Sequence, residues 1–495
     1  MTLAPPAVPR SRPLGGRHGG RDGTDRVGRV LDAALLDRLI KAYDVRGVVP
    51  DDLSPEIARL VGAAFVRVVG AARADGGPGT VVVGRDMRPS GPDLVAAFAD
   101  GVTSQGVDVL EIGLASTDQL YFAAGSLDLP GAMFTASHNP AQYNGIKLCR
   151  TGASPVGQDT GLREIKDLVL AWSASGVPAH DGPVGTVSQR DVLADYAAFL
   201  NGLVPLGGSR HLDVVVDAGN GMGGHTVPAV LAGLPLSITP LYFELDGTFP
   251  NHEANPIEPA NLRDLQAAVL ETGADIGLAF DGDADRCFVV DERGAIVDPS
   301  TLTALIAARE LAKHPGATVI HNLITSAAVP EIVREHGGVP VRTRVGHSFI
   351  KATMAETGAV FGGEHSGHFY FRDFWRADSG MLAALHAIAA LGETAPGTTF
   401  SSLLAPFDRY VSSGEINTEV ADQAGVTQEI RETFMARGFT DIDDLDGMTV
   451  NGGDWWFNVR PSNTEPLLRL NVEADDEAQM ALLRDEVLAM MRKGA

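Results

Sequence analysis

Three short segments concentrate groups able to do chemistry, each directly after an apolar run. The first is Thr135-Ala136-Ser137-His138-Asn139-Pro140. Its Asn-Pro pair is a strong turn former, so Ser137 is expected exposed at a strand end, as a nucleophile requires. A turn whose serine only caps the next element is the alternative reading of these residues. His138, Asn144 and Lys147 follow closely. They offer donors to a phosphate, and a partly desolvated lysine can accept a proton. The second segment, Asp281-Gly282-Asp283-Ala284-Asp285-Arg286, sets three carboxylates at alternate positions. In an extended loop alternation turns them to one side, where they repel unless a hard divalent cation sits between them, and oxygen-only ligation suits Mg²⁺. Asp281, Asp283, Asp285 and Glu292 also match a calcium-binding EF-hand loop. That loop needs Gly where this chain has Arg286, and 288–290 continues as strand rather than helix. A solvated acidic turn is the remaining alternative.

The third segment, Gly363-Glu364-His365-Ser366-Gly367-His368, puts a carboxylate, a hydroxyl and imidazoles between small residues. Such a loop can hold vicinal sugar hydroxyls. Zinc on His365 and His368 is the weaker reading, because no further His or Cys stands at usual ligand spacing. Near the C-terminus, Arg460-Pro461-Ser462-Asn463-Thr464-Glu465-Pro466, with Arg469 beyond, offers guanidinium forks, hydroxyls and backbone N–H groups that suit a phosphate dianion. Lys41-Ala42-Tyr43-Asp44-Val45-Arg46-Gly47 and Gly84-Arg85-Asp86-Met87-Arg88-Pro89-Ser90 add basic groups that read equally as surface charge or structural pairing.

Positioning these loops requires a repeated frame. Three parts of the chain share one plan: a short β-branched strand, a small-residue loop, an Ala/Leu-rich helix, then a second strand that feeds the loaded loop. The first strands are expected at 80–83, 212–216 and 317–321, and the second at 131–134, 275–280 and 359–361. The fold class is therefore α/β, with three related α/β domains and a C-terminal α+β domain around a central cleft. Gly/Pro-rich runs and composition divide the chain into domains at 30–182, 183–295, 296–404 and 405–495. The last has strands near 448–450, 456–459 and 468–472. In open α/β sheets the ligand crevice lies at the carboxyl ends of strands, so the loops are expected to meet in one cleft.

Bulk properties narrow the function. The 495 residues carry a net charge of −24, which repels nucleic acid and anionic lipid. An anionic substrate would need a locally basic pocket. Cys149 and Cys287 are too few and too far apart for a disulfide scaffold, which fits a reducing compartment. No stretch approaches the roughly 18 apolar residues of a membrane helix, so a cytoplasmic protein is expected. Residues 1–29, with six arginines and six glycines, are expected to be a disordered extension.

Taken in order, KAYDVRG at 41–47, TASHNP at 135–140, DGDADR at 281–286, GEHSGH at 363–368 and RPSNTEP at 460–466 resemble the phosphohexomutase superfamily over about residues 38–490. The closest likeness is to its phosphomannomutase/phosphoglucomutase branch. That resemblance implies a phosphorylated Ser137, with Asp281, Asp283 and Asp285 binding Mg²⁺ together with an oxygen of the Ser137 phosphate. It implies Arg286 as a charge stabiliser, Lys147 and His368 as proton movers, and His138 in support of the serine. Glu364 and Ser366 match the sugar-hydroxyl contacts. Arg460, Ser462, Asn463, Thr464 and Arg469 match the site for the non-reacting phosphate, and Tyr43, Arg46, His347 and His368 join the substrate set. The implied reaction interconverts mannose 6-phosphate and mannose 1-phosphate through a hexose 1,6-bisphosphate, with glucose or mannose 1,6-bisphosphate as activator. The implied partner is a hexose phosphate, and the implied assembly a monomer or small homo-oligomer. His365 stands where Met is expected in the dual-specificity branch, so glucose phosphate is an alternative substrate. RPSNTEP favours this branch over the glucosamine one. A non-catalytic sugar-phosphate sensor is opposed by the intact Ser137, aspartates and Lys147. A phosphatase is opposed by the lack of a second metal site to activate water.

Overall fold

A computed structural model describes residues 31–71, 79–462 and 467–493. The extension expected over 1–29, the site residues Asn463 and Thr464, and the side chain of His347 lie outside the described residues.

Each of the first three sheets is built on the same strand arrangement. In the first, Thr80–Arg85 lies parallel to Asp108–Leu114 on one side and to Gly131–Phe134 on the other, and Gly131–Phe134 turns back antiparallel into Tyr143–Cys149. In the second, Leu212–Asp217 lies between Leu236–Leu241 and Ile276–Phe280, which turns back into Cys287–Asp291. In the third, Thr318–Asn322 lies between Val339–Thr343 and Phe361–Gly363, which turns back into Phe369–Phe371. The three chemically loaded loops therefore occupy one equivalent place, the reversal after the second parallel strand. The strands that feed them, Gly131–Phe134, Ile276–Phe280 and Phe361–Gly363, are buried throughout, as strands covered on both faces must be.

Three expected boundaries shift outward. Val187–Gln189 adds parallel to Asp108–Leu114, so the first sheet continues past 182. Ile296–Val297 pairs with Cys287–Asp291, past 295. Past 404, Arg409 and Tyr410 bond to Glu331 of the third unit, at 3.0 and 2.7 Å. Gly/Pro-rich runs mark where the chain turns at the surface, but it then returns to complete an edge before leaving. The third loaded strand runs Phe361–Gly363 instead of 359–361.

The C-terminal unit is α+β. Met448–Asn451, Trp455–Pro461 and Leu467–Ala474 form an antiparallel sheet, backed by the helices Gln423–Ala436 and Glu477–Lys493. Its core, which includes Ile430, Phe434, Phe457 and Val487, is separate from the others. By contrast one continuous apolar core runs from Leu120 and Phe122 through Val214 and Leu278 to Leu385 and Phe400, fusing the first three units. The helix Gly380–Gly392, buried along its whole length, is the main strut of that core. Both cysteines are free and buried. Among the described residues no helix is long and apolar enough to cross a membrane.

Candidate active site

Ser137 stands at the reversal between Gly131–Phe134 and Tyr143–Cys149 with a left-handed backbone, φ 48°, which is uncommon for a residue with a side chain. Its N–H donates to Thr135 Oγ1 at 2.8 Å. The stronger hold comes from Arg88, whose side chain is fully buried. That guanidinium donates to the carbonyls of Ser137 (2.9 Å), Asn139 (2.6 Å), Pro140 (2.8 Å) and Tyr143 (2.9 Å), and its Nε to Asp86 at 3.2 Å. Arg88 is thus a structural fork for the serine loop and not surface charge. Contrary to the expected exposure, Ser137 is only 3% accessible. The 281–286 loop covers it, and it opens onto a cavity of about 180 Å³.

Asp281-Gly282-Asp283-Ala284-Asp285-Arg286 is not extended, as the alternation argument assumed. Ala284 is left-handed (φ 58°), its N–H donates to the Asp281 carbonyl at 3.0 Å, and the Arg286 N–H to Asp281 Oδ1 at 3.2 Å. This closed turn gathers the three buried carboxylates so that one oxygen from each lies within 4.8 Å of the others. It also comes against the serine loop, because a Cβ on Gly282 would stand 2.5 Å from the Ser137 carbonyl oxygen.

Between the two loops Ser137 Oγ donates to Asp281 Oδ2 at 2.7 Å and accepts from Arg286 Nη2 at 3.1 Å. Arg286 also bonds His138 Nδ1, which lies 3.3 Å from Ser137 Oγ. The Arg286 charge, with burial behind it, holds His138 down at about 2, so its ring is neutral. Lys147 Nζ reaches Asp283 Oδ2 at 2.7 Å and Asp285 Oδ2 at 2.6 Å. Burial works against the Lys147 charge, but those two carboxylates reverse it and hold the ammonium well above an ordinary lysine pKa. The expected proton acceptor is therefore a cation in this arrangement.

The carboxylates divide the same way. Burial acts to raise all three, and with Asp285 beside it Asp281 stays well above the usual range, whereas Lys147 draws Asp283 and Asp285 below it. The remaining oxygens, Asp283 Oδ1 and Asp285 Oδ1, are buried without a hydrogen-bond donor. Anionic oxygens in that state are costly. The donor set fits a hard divalent cation, which would supply the missing partner.

Glu364, Ser366 and His368 belong to the third loop, tied to the 281–286 turn by an antiparallel bridge between Arg286 and His368. Gly367 (φ 81°) permits the approach, since a Cβ there would lie 2.5 Å from the Phe288 ring. His368 bonds Ser366 Oγ at 2.9 Å and stands 3.6 Å from Asp285. Glu364 is buried, and both its oxygens have donors: Tyr370 Oη at 2.6 Å on one, Asn322 Nδ2 at 3.3 Å and the Gly346 N–H at 3.1 Å on the other. The cavity beside Ser137 brings together Tyr43, Arg46, His138, Lys147, Asp285, Arg286 and His368. Asp378 and Tyr121 also line it, and buried Lys351 pairs with Asp378 at 2.5 Å with its ammonium over the Tyr121 ring.

No residue of the C-terminal unit lines this cavity among the described residues. Arg460 and Arg469 stand apart with Glu415 between them, at 2.5 and 3.1 Å. Ser462 follows Arg460, its N–H donating to the Leu467 carbonyl at 2.8 Å. The unit touches the third unit at the strand Val339–Thr343 and the turn after it, where Asp446 accepts from the Val345 N–H at 3.2 Å and Arg342 pairs with Asp443. Sequence reasoning did not single out Thr117, Asp118, Lys351, Tyr370, Asp378 or Glu415. The only local signal was the polar pair Asp378-Ser379 opening an otherwise apolar helix.

Comparison with known proteins finds the four domains of the phosphoglucomutase/phosphomannomutase family in order. Its α/β/α domain I matches residues 37–175, domain II 195–294, domain III 298–410 and the C-terminal domain 415–490. A phosphomannomutase of Escherichia coli is 39% identical over 463 residues, covering 91% of this chain and 98% of that protein. A phosphomannomutase/phosphoglucomutase of Pseudomonas putida is 37% identical, covering 93% of this chain and 96% of that one. The crystal structure of a phosphoglucomutase/phosphomannomutase family protein from Burkholderia thailandensis is 34% identical with a TM-score of 0.80, over 92% of this chain and 97% of that one.

Proposed function

The chain belongs to the phosphoglucomutase/phosphomannomutase family, and on that premise we propose how it interconverts mannose 6-phosphate and mannose 1-phosphate through Ser137. In this reading Ser137 Oγ carries a phosphoryl group in the working enzyme. Asp281, Asp283 and Asp285 would hold Mg²⁺, which when bound would offset the charge of phosphate and carboxylates and polarise the phosphoryl group. Arg286, within 3.1 Å of Oγ, steadies the same charge. His138, 3.3 Å from Oγ, supports the serine.

Glu364 and Ser366 receive sugar hydroxyls. The donors already on both Glu364 oxygens fix that carboxylate before substrate arrives, so binding spends little on ordering it. Arg460, Ser462 and Arg469, with Asn463 and Thr464, grip the phosphate that is not reacting, while Tyr43, Arg46 and His347 complete the substrate set. When the free sugar hydroxyl attacks, a new O–P bond forms, the Ser137 Oγ–P bond breaks, and the hydroxyl proton is relayed to Oγ. Lys147 and His368 are the candidate carriers, Lys147 entering as an ammonium that can give a proton to Oγ before it takes one. The bisphosphate then turns over and returns its other phosphate to Ser137 by the reverse steps. Glucose or mannose 1,6-bisphosphate primes an unphosphorylated enzyme by the same half-reaction. The separate core of the C-terminal unit suits a domain that closes over the ligand and excludes water.

The observation that carries the reading is the contact of Ser137 Oγ with Asp281 at 2.7 Å, with Ser137 itself lining a cavity that Lys147 and His368 also line. Ser137→Ala is expected to abolish interconversion, and wild type treated with glucose 1,6-bisphosphate to gain the mass of one phosphoryl group at Ser137. Full turnover by the alanine variant would end this account. Glucose phosphate is the second substrate reading, favoured by the double name of the Pseudomonas putida relative. Coupled assays on mannose, glucose and glucosamine phosphates separate the choices, and net release of inorganic phosphate would indicate a phosphatase.

A further inference from the structure

Asp118 is fully buried, and among the described residues its side-chain hydrogen bonds come from hydroxyls and from no cation. Its carboxylate is held entirely by hydroxyls: Ser116 Oγ on Oδ1, and Tyr196 Oη and Ser379 Oγ on Oδ2, the last two both at 2.7 Å. These donors come from separate parts of the chain. Ser116 caps the helix Thr117–Leu127 of the first unit, Tyr196 lies on the helix Leu193–Leu203 that leads into the second, and Ser379 caps the helix Gly380–Gly392 of the third. Asp118 also sits in the first turn of its own helix, where the exposed N–H groups favour an anion. Such an arrangement is expensive to bury and gains nothing that an apolar contact would not give more cheaply. A role beyond packing is called for.

That role lies in what the two capped ends touch. Thr117, next to Asp118, gives both its polar groups to Asp283: its N–H to the carbonyl at 3.0 Å and its hydroxyl to Oδ2 at 2.6 Å. With Lys147 also on Oδ2, the Asp283 carboxylate cannot rotate without breaking bonds, and Oδ1 is the oxygen left bare. On the other side, Gly380, next to Ser379, lies so close to the same turn that a Cβ there would stand 2.6 Å from the Arg286 carbonyl and 2.9 Å from that of Ala284. The 281–286 turn is thus gripped by two helix N-termini, one on its Asp283 side and one on its Ala284 to Arg286 side. Among the described residues, the Asp118 carboxylate is the group bonded to the caps of both.

We infer that Asp118 is a positioning residue for the metal loop, pinning the helix starts at 116–118 and 379–380 together so that the three aspartates are held ready for a divalent cation. The inference rests on the proposed reading of Asp281, Asp283 and Asp285 as metal ligands. Groups that orient a metal ligand typically contribute about 10- to 100-fold to metal affinity. Removing the pin should therefore weaken binding by about tenfold without deleting a ligand.

The test is calorimetric titration of Mg²⁺, and of Mn²⁺ as a spectroscopic probe, into full-length wild type, Asp118→Ala and Ser379→Ala, with folding checked by circular dichroism. Ser379→Ala removes one donor and keeps the Asp118 side chain, so it carries the test if the Asp118 variant does not fold. The expected result is one site in wild type, with a dissociation constant raised about tenfold in Asp118→Ala and by a smaller factor in Ser379→Ala. A lowered melting temperature with unchanged metal affinity in the folded variants would make the cluster a packing device only and overturn the inference. Failure of the underlying reading looks different. Wild type would then bind no cation, or Asp283→Ala would bind it as wild type does.

Discussion

Replacing Arg88 with lysine should disable the enzyme without touching substrate. The guanidinium serves four backbone carbonyls of the serine loop in addition to Asp86. A lysine ammonium has three donors. With one spent on Asp86, at least two of the four carbonyls lose the donor that Arg88 gives them. At about 0.5–1.5 kcal/mol for each lost bond, the loop loses about 1–3 kcal/mol of support. The Ser137 carbonyl is among the four, and the residue has a left-handed backbone to maintain. Displacement of a reacting group by an ångström costs on the order of 100-fold in rate. Arg88→Lys is therefore expected to lower kcat about 100-fold while leaving KM for the hexose phosphate nearly unchanged, because Arg88 lines no part of the cavity. Unfolding of a chain with several cores is not one transition, so the stability readout is the earliest calorimetric transition, expected to fall by about 10 °C. A coupled assay on mannose 1-phosphate reads the kinetic arm. A folded Arg88→Lys enzyme with wild-type kcat would refute the argument that this fork holds the nucleophile.

Gly282→Ala should separate the metal turn from the serine, since the new methyl would stand 2.5 Å from the Ser137 carbonyl oxygen; kcat is expected to fall at least tenfold for a stability loss of about 1–3 kcal/mol, read by steady-state kinetics and calorimetry. Tyr370→Phe removes the 2.6 Å donor to Glu364 and should raise KM for the sugar phosphate by about 1–2 kcal/mol of binding, with a smaller change in kcat. Asp118 gives a pH signature: burial, opposed by its three hydroxyl partners, pushes its pKa up to about 6. Between an unfolded value near 4 and that folded value the native state holds the extra proton, so stability is fully present below the lower value and is lost as pH rises through the upper one, by about 3 kcal/mol. Asp118→Asn cannot titrate, and its melting temperature should fall less than that of wild type between pH 4 and 7.

The internal repeat was legible because it is written locally. Each β-branched run, the small-residue loop behind it and the second run before a loaded loop lie within one stretch of chain, so turn chemistry and periodicity located the strands feeding Ser137 and Asp281 and placed the one feeding Glu364 too early, at 359–361 and not Phe361–Gly363. Boundaries were less legible. Val187–Gln189 and Ile296–Val297 are short edge strands that look like linker until the sheet they complete is known. Conformation within a loop was also out of reach. The aspartates converge through a left-handed Ala284, not through the alternation of an extended segment.

The sequence by itself determined the α/β class, the order of the loops and which residue types each loop brings to the cleft, because propensity, patterning and turn formation act between near neighbours along the chain. Tertiary structure alone decided which polar groups share a buried environment. Arg88 became the holder of the serine loop, Lys147 a charged partner of two aspartates, Glu415 the bridge between Arg460 and Arg469, and Asp118 the junction of three units. The physical reason is that a charge or hydroxyl acquires its role from desolvation and from the partner that relieves it. Both are set by segments that meet only after the sheets have packed.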